Sequence, residues 1–202
     1  MSIANFLTFI RIFISPIFLV LYVQHESFHI SRNMLPYILL FLLSVSELSD
    51  IFDGYLARKY RQVTDFGKIF DPMADSIARI SVFLTFTLPP VQLPLLLVFV
   101  FLYRDSVIST LRTICALKGF TLAARTSGKT KAVIQGVTAI LIVLMLIPYT
   151  YGALSEETLT LTSTVLVAIA AAYTLFSGAD YIYANRFYIR KILTAKSSLQ
   201  EG

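Results

Sequence analysis

The sequence predicts an all-α integral membrane protein with six transmembrane helices, and three observations support this fold class. Of the 202 residues, 56% are hydrophobic and 14% are charged, whereas an ordinary soluble domain contains about 25% charged residues. The apolar residues form six segments, each close to the roughly 20 residues that cross a bilayer. The basic residues are concentrated in alternate connecting segments. We interpret residues 1–202 as a single membrane domain.

The apolar segments predict where each span lies. The first covers residues 9–23, and because Arg11 and Pro16 interrupt it without a small-residue cleavage pattern, we interpret it as a retained span and not as a signal peptide. The other five are predicted at residues 34–55, 69–88, 93–117, 132–151 and 161–184. The sequence PPVQLP at residues 89–94 predicts a tight break between the third and fourth spans.

The basic residues predict the orientation of these spans. The links after the second and fourth spans and the C-terminal tail are rich in lysine and arginine, whereas the opposite links contain Arg32 with Glu156 and Glu157. Lysine and arginine accumulate on the cytoplasmic side of membrane proteins, so we expect both termini to be cytoplasmic. The formal net charge of +5 then reflects topology and contact with lipid headgroups, and not nucleic-acid binding.

Four aspartates lie where the second span ends and the third begins. Asp50 and Asp53 are three residues apart, and Asp71 and Asp75 are four apart, so each pair shares one helix face. We expect the short link to turn these two acidic faces toward each other. Four neighbouring carboxylates repel one another, which predicts that two divalent cations neutralise them. An all-oxygen set without histidine or cysteine favours Mg²⁺ or Mn²⁺, and two such ions commonly clamp a phosphoryl group.

The residues that follow Asp53 suit a phosphate-containing ligand. Gly54 and Ala57 are small and allow a ligand to approach the backbone closely. Arg58 adds a fixed positive charge at the same level. The alternative is a solvated helix end, in which the acids only pair with nearby lysines and arginines.

The complete pattern resembles a known family. D-x-x-D-G-x-x-A-R, eight residues, then G-x-x-x-D-x-x-x-D runs from Asp50 to Asp75 and resembles the signature of the CDP-alcohol phosphotransferases. The resemblance implies a six-span bundle, typically a homodimer, that transfers a phosphatidyl or related group from a CDP-linked lipid to an alcohol and releases CMP. It implies that Asp75 is the catalytic base. Two metal ions would be bound by Asp50, Asp53, Asp71 and Asp75, and the nucleotide by Asp50, Asp53, Gly54, Ala57, Arg58 and Gly67.

A second basic stretch bears on the acceptor alcohol. Arg104 and Arg112 are eight residues apart on one helix face, and arginines within a span need an anionic partner or a polar cavity. Asp105 is placed to balance one of them, and positive-inside topology alone is the alternative explanation for the group. We predict a pocket for an acceptor that carries its own phosphate, lined by Arg104, Arg112, Arg125, Lys129 and Lys131.

This stretch resembles the corresponding region of the bacterial phosphatidylglycerophosphate synthases, through ISTLR, a glycine, AA and GKTK, as does NFLTFIR at residues 5–11. The resemblance implies CDP-diacylglycerol as donor, glycerol 3-phosphate as acceptor, and a site on the cytoplasmic face of a bacterial inner membrane. There are two departures. Ser76 stands where those enzymes usually have lysine, and Glu47 is a fifth acid one turn before Asp50. Inositol phosphate, serine or phosphatidylglycerol as acceptor stays open, as does a non-enzymatic cation transporter.

Two further signals have less weight. HESFH, from His25 to His29, matches the H-E-x-x-H zinc motif, which requires a helix and a third ligand. Because it lies in a short polar link, we interpret it as solvated surface. Asp180, within the sixth span, is interpreted as a partner for a basic residue.

Overall fold

The computed structural model describes residues 3–59, 65–117 and 125–194, with side chains at residues 10–49, 52, 72–117 and 125–190. The described residues form helices and connecting turns, without strands. The helices are α1 (Ile3–Gln24), α2 (Leu35–Lys59), α3 (Asp65–Thr85), α4 (Leu95–Leu117), α5 (Thr126–Thr150), α6 (Glu156–Ala184) and α7 (Arg186–Thr194).

Six long helices therefore correspond to the six predicted apolar segments. Helices α1, α2, α3, α5 and α6 each begin or end outside the predicted spans, because apolar character sets the edge of a span whereas hydrogen bonding sets the end of a helix. The two acidic pairs consequently lie inside helices: Asp71 and Asp75 follow six and ten residues after the start of α3 at Asp65. The short amphipathic helix α7 was not predicted.

Helix α1 occupies a central place among the first three helices. It packs against both α2 and α3, while α2 also contacts α5 and α3 also contacts α4. Within the described residues α1 provides the main packing surface for both α2 and α3. The expectation that the acidic faces of Asp50 and Asp53 and of Asp71 and Asp75 turn toward each other concerns side chains that lie mostly outside those described, and it stays a prediction. Helix α6 contacts α4 and α5, which closes the other half of the bundle.

Aromatic side chains join the first half of the bundle. The ring of Phe86 lies edge-on to that of Phe18, with centroids 5.9 Å apart. Phe83 contacts Phe101 across α3 and α4 at 4.8 Å. All four side chains are buried, and edge-on aromatic pairs are favourable beyond the area that they bury.

Small and hydroxyl residues instead line the buried face of α6. Ser163, Ala170, Ala171 and Thr174 are almost fully buried, and small residues allow helices to approach closely where lipid removes the hydrophobic driving force. Ser155 begins the helix, because its hydroxyl accepts a hydrogen bond from the Thr158 amide at 3.2 Å.

Many large apolar side chains are exposed on the helices, while several charged side chains are buried. Leu96 and Phe176 are 77% and 60% exposed, whereas Asp105 and Lys131 are 6% and 4% exposed. A soluble protein rarely exposes so many large apolar side chains together. Within the described residues, α5 and α6 are long and apolar enough to cross a membrane, in agreement with the expected membrane-associated, all-helical class.

Candidate active site

A polar cavity of about 260 Å³ lies at one end of the bundle. Its walls come from the middle of α3, the middle and second half of α4, and the beginning of α5. The share of liquid volume per water molecule is about 30 Å³, so the cavity is large enough for a small phosphate ester. Its charged lining residues are Asp75, Arg79, Arg104, Asp105, Arg112, Arg125, Lys129 and Lys131.

This cavity brings together the residues that were predicted to bind the acceptor phosphate. All five basic residues named from the sequence line it, and Asp75, the predicted base, lines the same cavity. They come from separate elements: Asp75 from α3, Arg104 and Arg112 from α4, and the others from Arg125 and the α5 helix that follows it. The middle of α3, the part of α4 from Arg104 to Arg112 and the start of α5 therefore meet at this cavity.

The carboxylate of Asp75 pairs with Arg11 of α1. The Arg11 guanidinium donates to Asp75 Oδ1, and the arginine is 2% exposed. A buried arginine requires an anionic partner, and this pairing fixes the predicted base against α1. Sequence reasoning missed Arg11 as a site residue, although an arginine that interrupts the first apolar segment was the available signal.

Asp105 is the centre of a buried charge network. Its two carboxylate oxygens accept hydrogen bonds from Lys131 Nζ at 2.8 and 2.7 Å. Arg104 Nη1 donates to Oδ1 at 3.0 Å, and Ser76 Oγ donates to Oδ2 at 3.3 Å. Asp105 therefore balances Arg104, as the sequence suggested, and also neutralises Lys131, which the sequence did not indicate.

A second carboxylate, Asp180, holds the start of α5. Arg125 donates to both carboxylate oxygens, at 2.8 and 3.0 Å, and the Ser127 hydroxyl donates to one of them. The expectation that Asp180 pairs with a basic residue is thus confirmed. This pair is more exposed than the Asp105–Lys131 pair, since the Arg125 side chain is 43% exposed.

Arg112 and Lys129 differ from the other cations of the cavity. Arg112 Nε donates to the Tyr181 hydroxyl at 3.3 Å, and its guanidinium lies 5.3 Å from the centre of the tyrosine ring. Among the residues with described side chains, no carboxylate pairs with Arg112 or Lys129. Of the five predicted phosphate-binding residues, these two have the positive charge that is least compensated by the side chains that the structure describes.

Glu47, the unusual fifth acid, reaches toward the same cavity through Arg79. Its Oε1 lies 3.6 Å from Arg79 Nε, and the two side chains are 26% and 14% exposed. The carboxylate also lies against Gly136 of α5, where an added Cβ would be 3.0 Å from Glu47 Oε2. Glu47 thus contacts residues of α3 and α5, and a side chain larger than glycine at residue 136 would require the flexible carboxylate end of Glu47 to shift.

An apolar groove of about 650 Å³ lies beside the polar cavity, between α4 and α6. Arg104 and Ile108 line both spaces. The stem of Arg104 faces Gly178, where an added Cβ would be 3.1 Å from its Cγ, and its Nη2 donates to the Ser177 hydroxyl at 2.8 Å. Arg104 therefore separates an apolar surface from a polar one.

The described side chains do not include most of the predicted metal and nucleotide site. Asp50, Asp53, Gly54, Ala57, Arg58, Gly67 and Asp71 lie outside them, so their predicted roles stay predictions. Among the described side chains, no group of three His, Cys, Asp or Glu is arranged to hold a metal. The donor chemistry of the four aspartates remains all oxygen, which suits a hard divalent cation.

The H-E-x-x-H match does not form a zinc-protease helix. Residues His25–Phe28 form a single 3₁₀ turn, and His29 follows in the left-handed region with φ of 56°. The motif requires both histidines on one face of an α-helix, which this backbone does not provide. The interpretation as surface is therefore the better one.

The described residues define an all-helical protein with exposed apolar helix faces and a cationic pocket that also contains Asp75. Comparison with known proteins agrees. The family model described as CDP-alcohol phosphatidyltransferase matches residues 1–176, so the chain belongs to that family. It is 30% identical, over 93% of its length and 98% of the relative's, to a Rickettsia typhi protein named CDP-diacylglycerol–glycerol-3-phosphate 3-phosphatidyltransferase. A Bacillus subtilis protein of the same name is 29% identical over 91% of the chain and 95% of that protein.

Proposed function

We propose that this enzyme transfers the phosphatidyl group of CDP-diacylglycerol to glycerol 3-phosphate, which yields phosphatidylglycerophosphate and CMP for phospholipid synthesis. Family membership supports the class of reaction, and the relatives' names support both substrates. The observation that carries the choice of acceptor is the cavity that joins Asp75 to six lysine and arginine side chains. A phosphate monoester needs such charge, whereas serine and inositol do not.

The donor is an amphiphile, and the site offers matching surfaces. The α4–α6 groove is almost entirely apolar, while the adjoining cavity is cationic, with Arg104 on their boundary. A reaction centre at this boundary acts on a headgroup pyrophosphate while the acyl chains remain in an apolar environment. We include in the proposal a nucleotide site at Asp50, Asp53, Gly54, Ala57, Arg58 and Gly67.

We also propose that Asp50, Asp53, Asp71 and Asp75 hold two Mg²⁺ or Mn²⁺ ions, which would supply charge stabilisation to the pyrophosphate. The protein's own part begins with the cationic cavity, which binds the acceptor phosphate and orients its hydroxyl. Asp75 accepts the hydroxyl proton, held in place by Arg11. The new phosphorus–oxygen bond forms at the β-phosphorus attached to diacylglycerol as the bond to CMP breaks.

The proposal includes the topology of the enzyme. We propose six spans with both termini in the cytoplasm and the cavity facing the cytoplasmic side of a bacterial inner membrane. The exposed apolar side chains and the concentration of lysine and arginine at the cavity end support this orientation. The family resemblance further suggests a homodimer.

The test is an acceptor scan with purified protein in detergent micelles. CMP release from CDP-diacylglycerol with Mg²⁺ is measured with glycerol 3-phosphate, inositol phosphate, inositol, serine and phosphatidylglycerol. We expect turnover with glycerol 3-phosphate and not with the uncharged or zwitterionic acceptors. If CMP were released with a different acceptor and not with glycerol 3-phosphate, the proposed acceptor would be wrong while the reaction class would stand. Ion flux in liposomes without CMP release would favour a transporter.

The role of Asp75 has its own test. Asp75→Asn keeps the size of the side chain but is a far weaker base, so we expect CMP release to fall by at least about 100-fold, the lower end for general-base catalysis. Circular dichroism and gel filtration of the variant check that the fold survives. Turnover near the wild-type rate in a folded Asp75→Asn protein would disprove the assignment.

A further inference from the structure

Ser76 of α3 is a residue of the polar cavity that the reaction scheme leaves unused. It directly follows Asp75, and both side chains line the cavity. Related enzymes usually have a lysine at this position, and the family signature ends one residue earlier, at Asp75. The serine is therefore a property of this chain, and its hydroxyl is a group that the family's shared chemistry does not explain.

The hydroxyl of Ser76 points in an unusual direction for a residue inside a helix. Serine and threonine within helices commonly donate to the backbone carbonyl four residues earlier. In this protein the hydroxyls that do so include those of Ser15, Ser49, Thr85, Thr113 and Thr174. Ser76 instead donates to Oδ2 of Asp105 on α4, at 3.3 Å. Its hydroxyl is therefore turned away from its own helix and toward the cavity wall that α4 provides.

The hydrogen bond to Asp105 determines how Ser76 can meet a ligand. Asp105 is paired with Lys131 and Arg104, and an ionised carboxylate can only accept hydrogen bonds, so Ser76 has to donate its single proton to it. The lone pairs of Ser76 Oγ are the only hydrogen-bonding capacity that the side chain retains. A hydroxyl that donates to a charged group is polarised and becomes a better acceptor. Ser76 is thus prepared to accept a hydrogen bond.

There is room for a ligand group beside Ser76. The residue lines the polar cavity of about 260 Å³ and also a second pocket of about 370 Å³ between α3 and α4. A lysine would extend into one of these spaces, whereas a serine leaves them open next to Asp75. Among the described side chains, none donates a hydrogen bond to Ser76 Oγ. The donor that this oxygen accepts from is therefore to be sought in a ligand.

Glycerol 3-phosphate has such a donor, because it has two hydroxyls and only one reacts. The primary hydroxyl is the less hindered nucleophile, which leaves the hydroxyl on C2 unreacted. We propose that Ser76 is a specificity-determining residue that accepts a hydrogen bond from this unreacted hydroxyl. The inference rests on the proposed function for the identity of the acceptor. It narrows the substrate class to phosphate monoesters that have a second hydroxyl beside the reacting one.

The first experiment compares glycerol 3-phosphate with 3-hydroxypropyl phosphate, an analogue that keeps the phosphate and the primary hydroxyl but lacks the hydroxyl on C2. CMP release from CDP-diacylglycerol with Mg²⁺ gives the KM of the purified protein for each compound. A site that hydrogen-bonds a substrate hydroxyl disfavours the analogue without it, and a neutral hydrogen bond contributes a factor of about 3 to 10 in affinity. The wild type is therefore expected to have a KM for the analogue at least about threefold higher than for glycerol 3-phosphate.

Variants of Ser76 show whether its oxygen is responsible for this preference. Ser76→Ala should raise the KM for glycerol 3-phosphate about 3- to 10-fold and leave the KM for the analogue almost unchanged, because the analogue never made the bond. A role limited to packing would change both KM values alike. Ser76→Thr keeps the hydroxyl and should preserve the preference. The matched control is Ser106→Ala, an exposed serine of α4 outside the cavity lining, which should leave both KM values unchanged.

A binding measurement separates this inference from the proposed function. Radiolabelled glycerol 3-phosphate is equilibrated with the purified protein and displaced by the unlabelled analogue. If the wild type turns over glycerol 3-phosphate but Ser76→Ala keeps the wild-type preference, the inference is wrong and the proposed function stands. If the wild type releases no CMP with glycerol 3-phosphate but binds it in preference to the analogue, and Ser76→Ala loses this preference, the proposed function fails alone. If neither turnover nor binding shows a preference that depends on Ser76, the inference is wrong.

Discussion

Replacing Asp105 with asparagine removes the central charge of the buried network while nearly preserving side-chain shape. The carboxylate accepts two hydrogen bonds from Lys131 at 2.7 and 2.8 Å and one from Arg104 at 3.0 Å. The Asp105 and Lys131 side chains are each 5% exposed. Asp105→Asn therefore leaves two cations close together with no carboxylate between them.

The burial of this ion pair sets the loss of stability expected for Asp105→Asn. Removing one partner of a buried ion pair costs about 3–5 kcal/mol, because the remaining charge is not compensated. The asparagine oxygen still accepts one hydrogen bond from Lys131, so we expect the lower end, about 3 kcal/mol, which is about 100-fold in the unfolding equilibrium constant. In the double variant with Lys131→Met, both partners are gone, and the loss should be about 2 kcal/mol smaller than the sum of the single losses.

The assay is equilibrium unfolding of the purified protein in mild detergent, titrated with sodium dodecyl sulfate and followed by circular dichroism. Asp180→Asn is the matched control, because it removes the carboxylate of the more exposed pair with Arg125, and exposed pairs contribute little. If Asp105→Asn destabilised the protein by less than about 1 kcal/mol, or no more than the control does, the reasoning about this network would be wrong.

Three other predictions concern activity. Chelation with EDTA should stop CMP release and added Mg²⁺ or Mn²⁺ should restore it, since four carboxylates need divalent charge; full turnover in EDTA would contradict the metal site. Arg112→Gln and Lys129→Gln should each raise the KM for glycerol 3-phosphate about tenfold, with no change in the KM for CDP-diacylglycerol; a change in the donor KM instead would move these residues to the nucleotide side. Gly178→Ala places a methyl group 3.1 Å from Arg104 Cγ and should raise the KM for the acceptor. The control is Gly128→Ala, whose added carbon lies at an ordinary contact distance of 3.6 Å from Arg104 Nη2 and should have a smaller effect. Equal effects of the two substitutions would contradict the role given to Arg104.

Much of the helical architecture could be predicted from local sequence patterns. Six apolar segments predicted six long helices, and PPVQLP predicted the break between α3 and α4, where Pro94 directly precedes the first residue of α4. These predictions succeed because helix formation and breaking depend on neighbours within a few residues. Helix α7 was missed because its charged residues resembled a basic tail, and its amphipathic face is a weaker signal than an apolar span.

The sequence predicted the acidic part of the candidate site and its cationic part to different extents. The acidic motif is a local pattern, so its spacing and its resemblance to a known family could be recognised directly in the sequence. The cationic group was also recognised as a group, and the structure gathers all five members in one cavity. Most ion-pair partners of these cations could not be predicted from the sequence. Lys131 pairs with Asp105, 26 residues away in the sequence, and Arg125 pairs with Asp180, 55 residues away.

The sequence by itself determined the helical class, the acidic motif and the supply of positive charge, since each depends on composition or on spacing along one helix. Only the tertiary structure decided how that charge is distributed: Lys131 pairs with Asp105, no described carboxylate pairs with Arg112 or Lys129, and Glu47 lies near Arg79. The physical reason is that an ion pair depends on distance in space. Here that distance is set by helix packing around α1 and by the glycine at residue 136, where another helix's side chain fits.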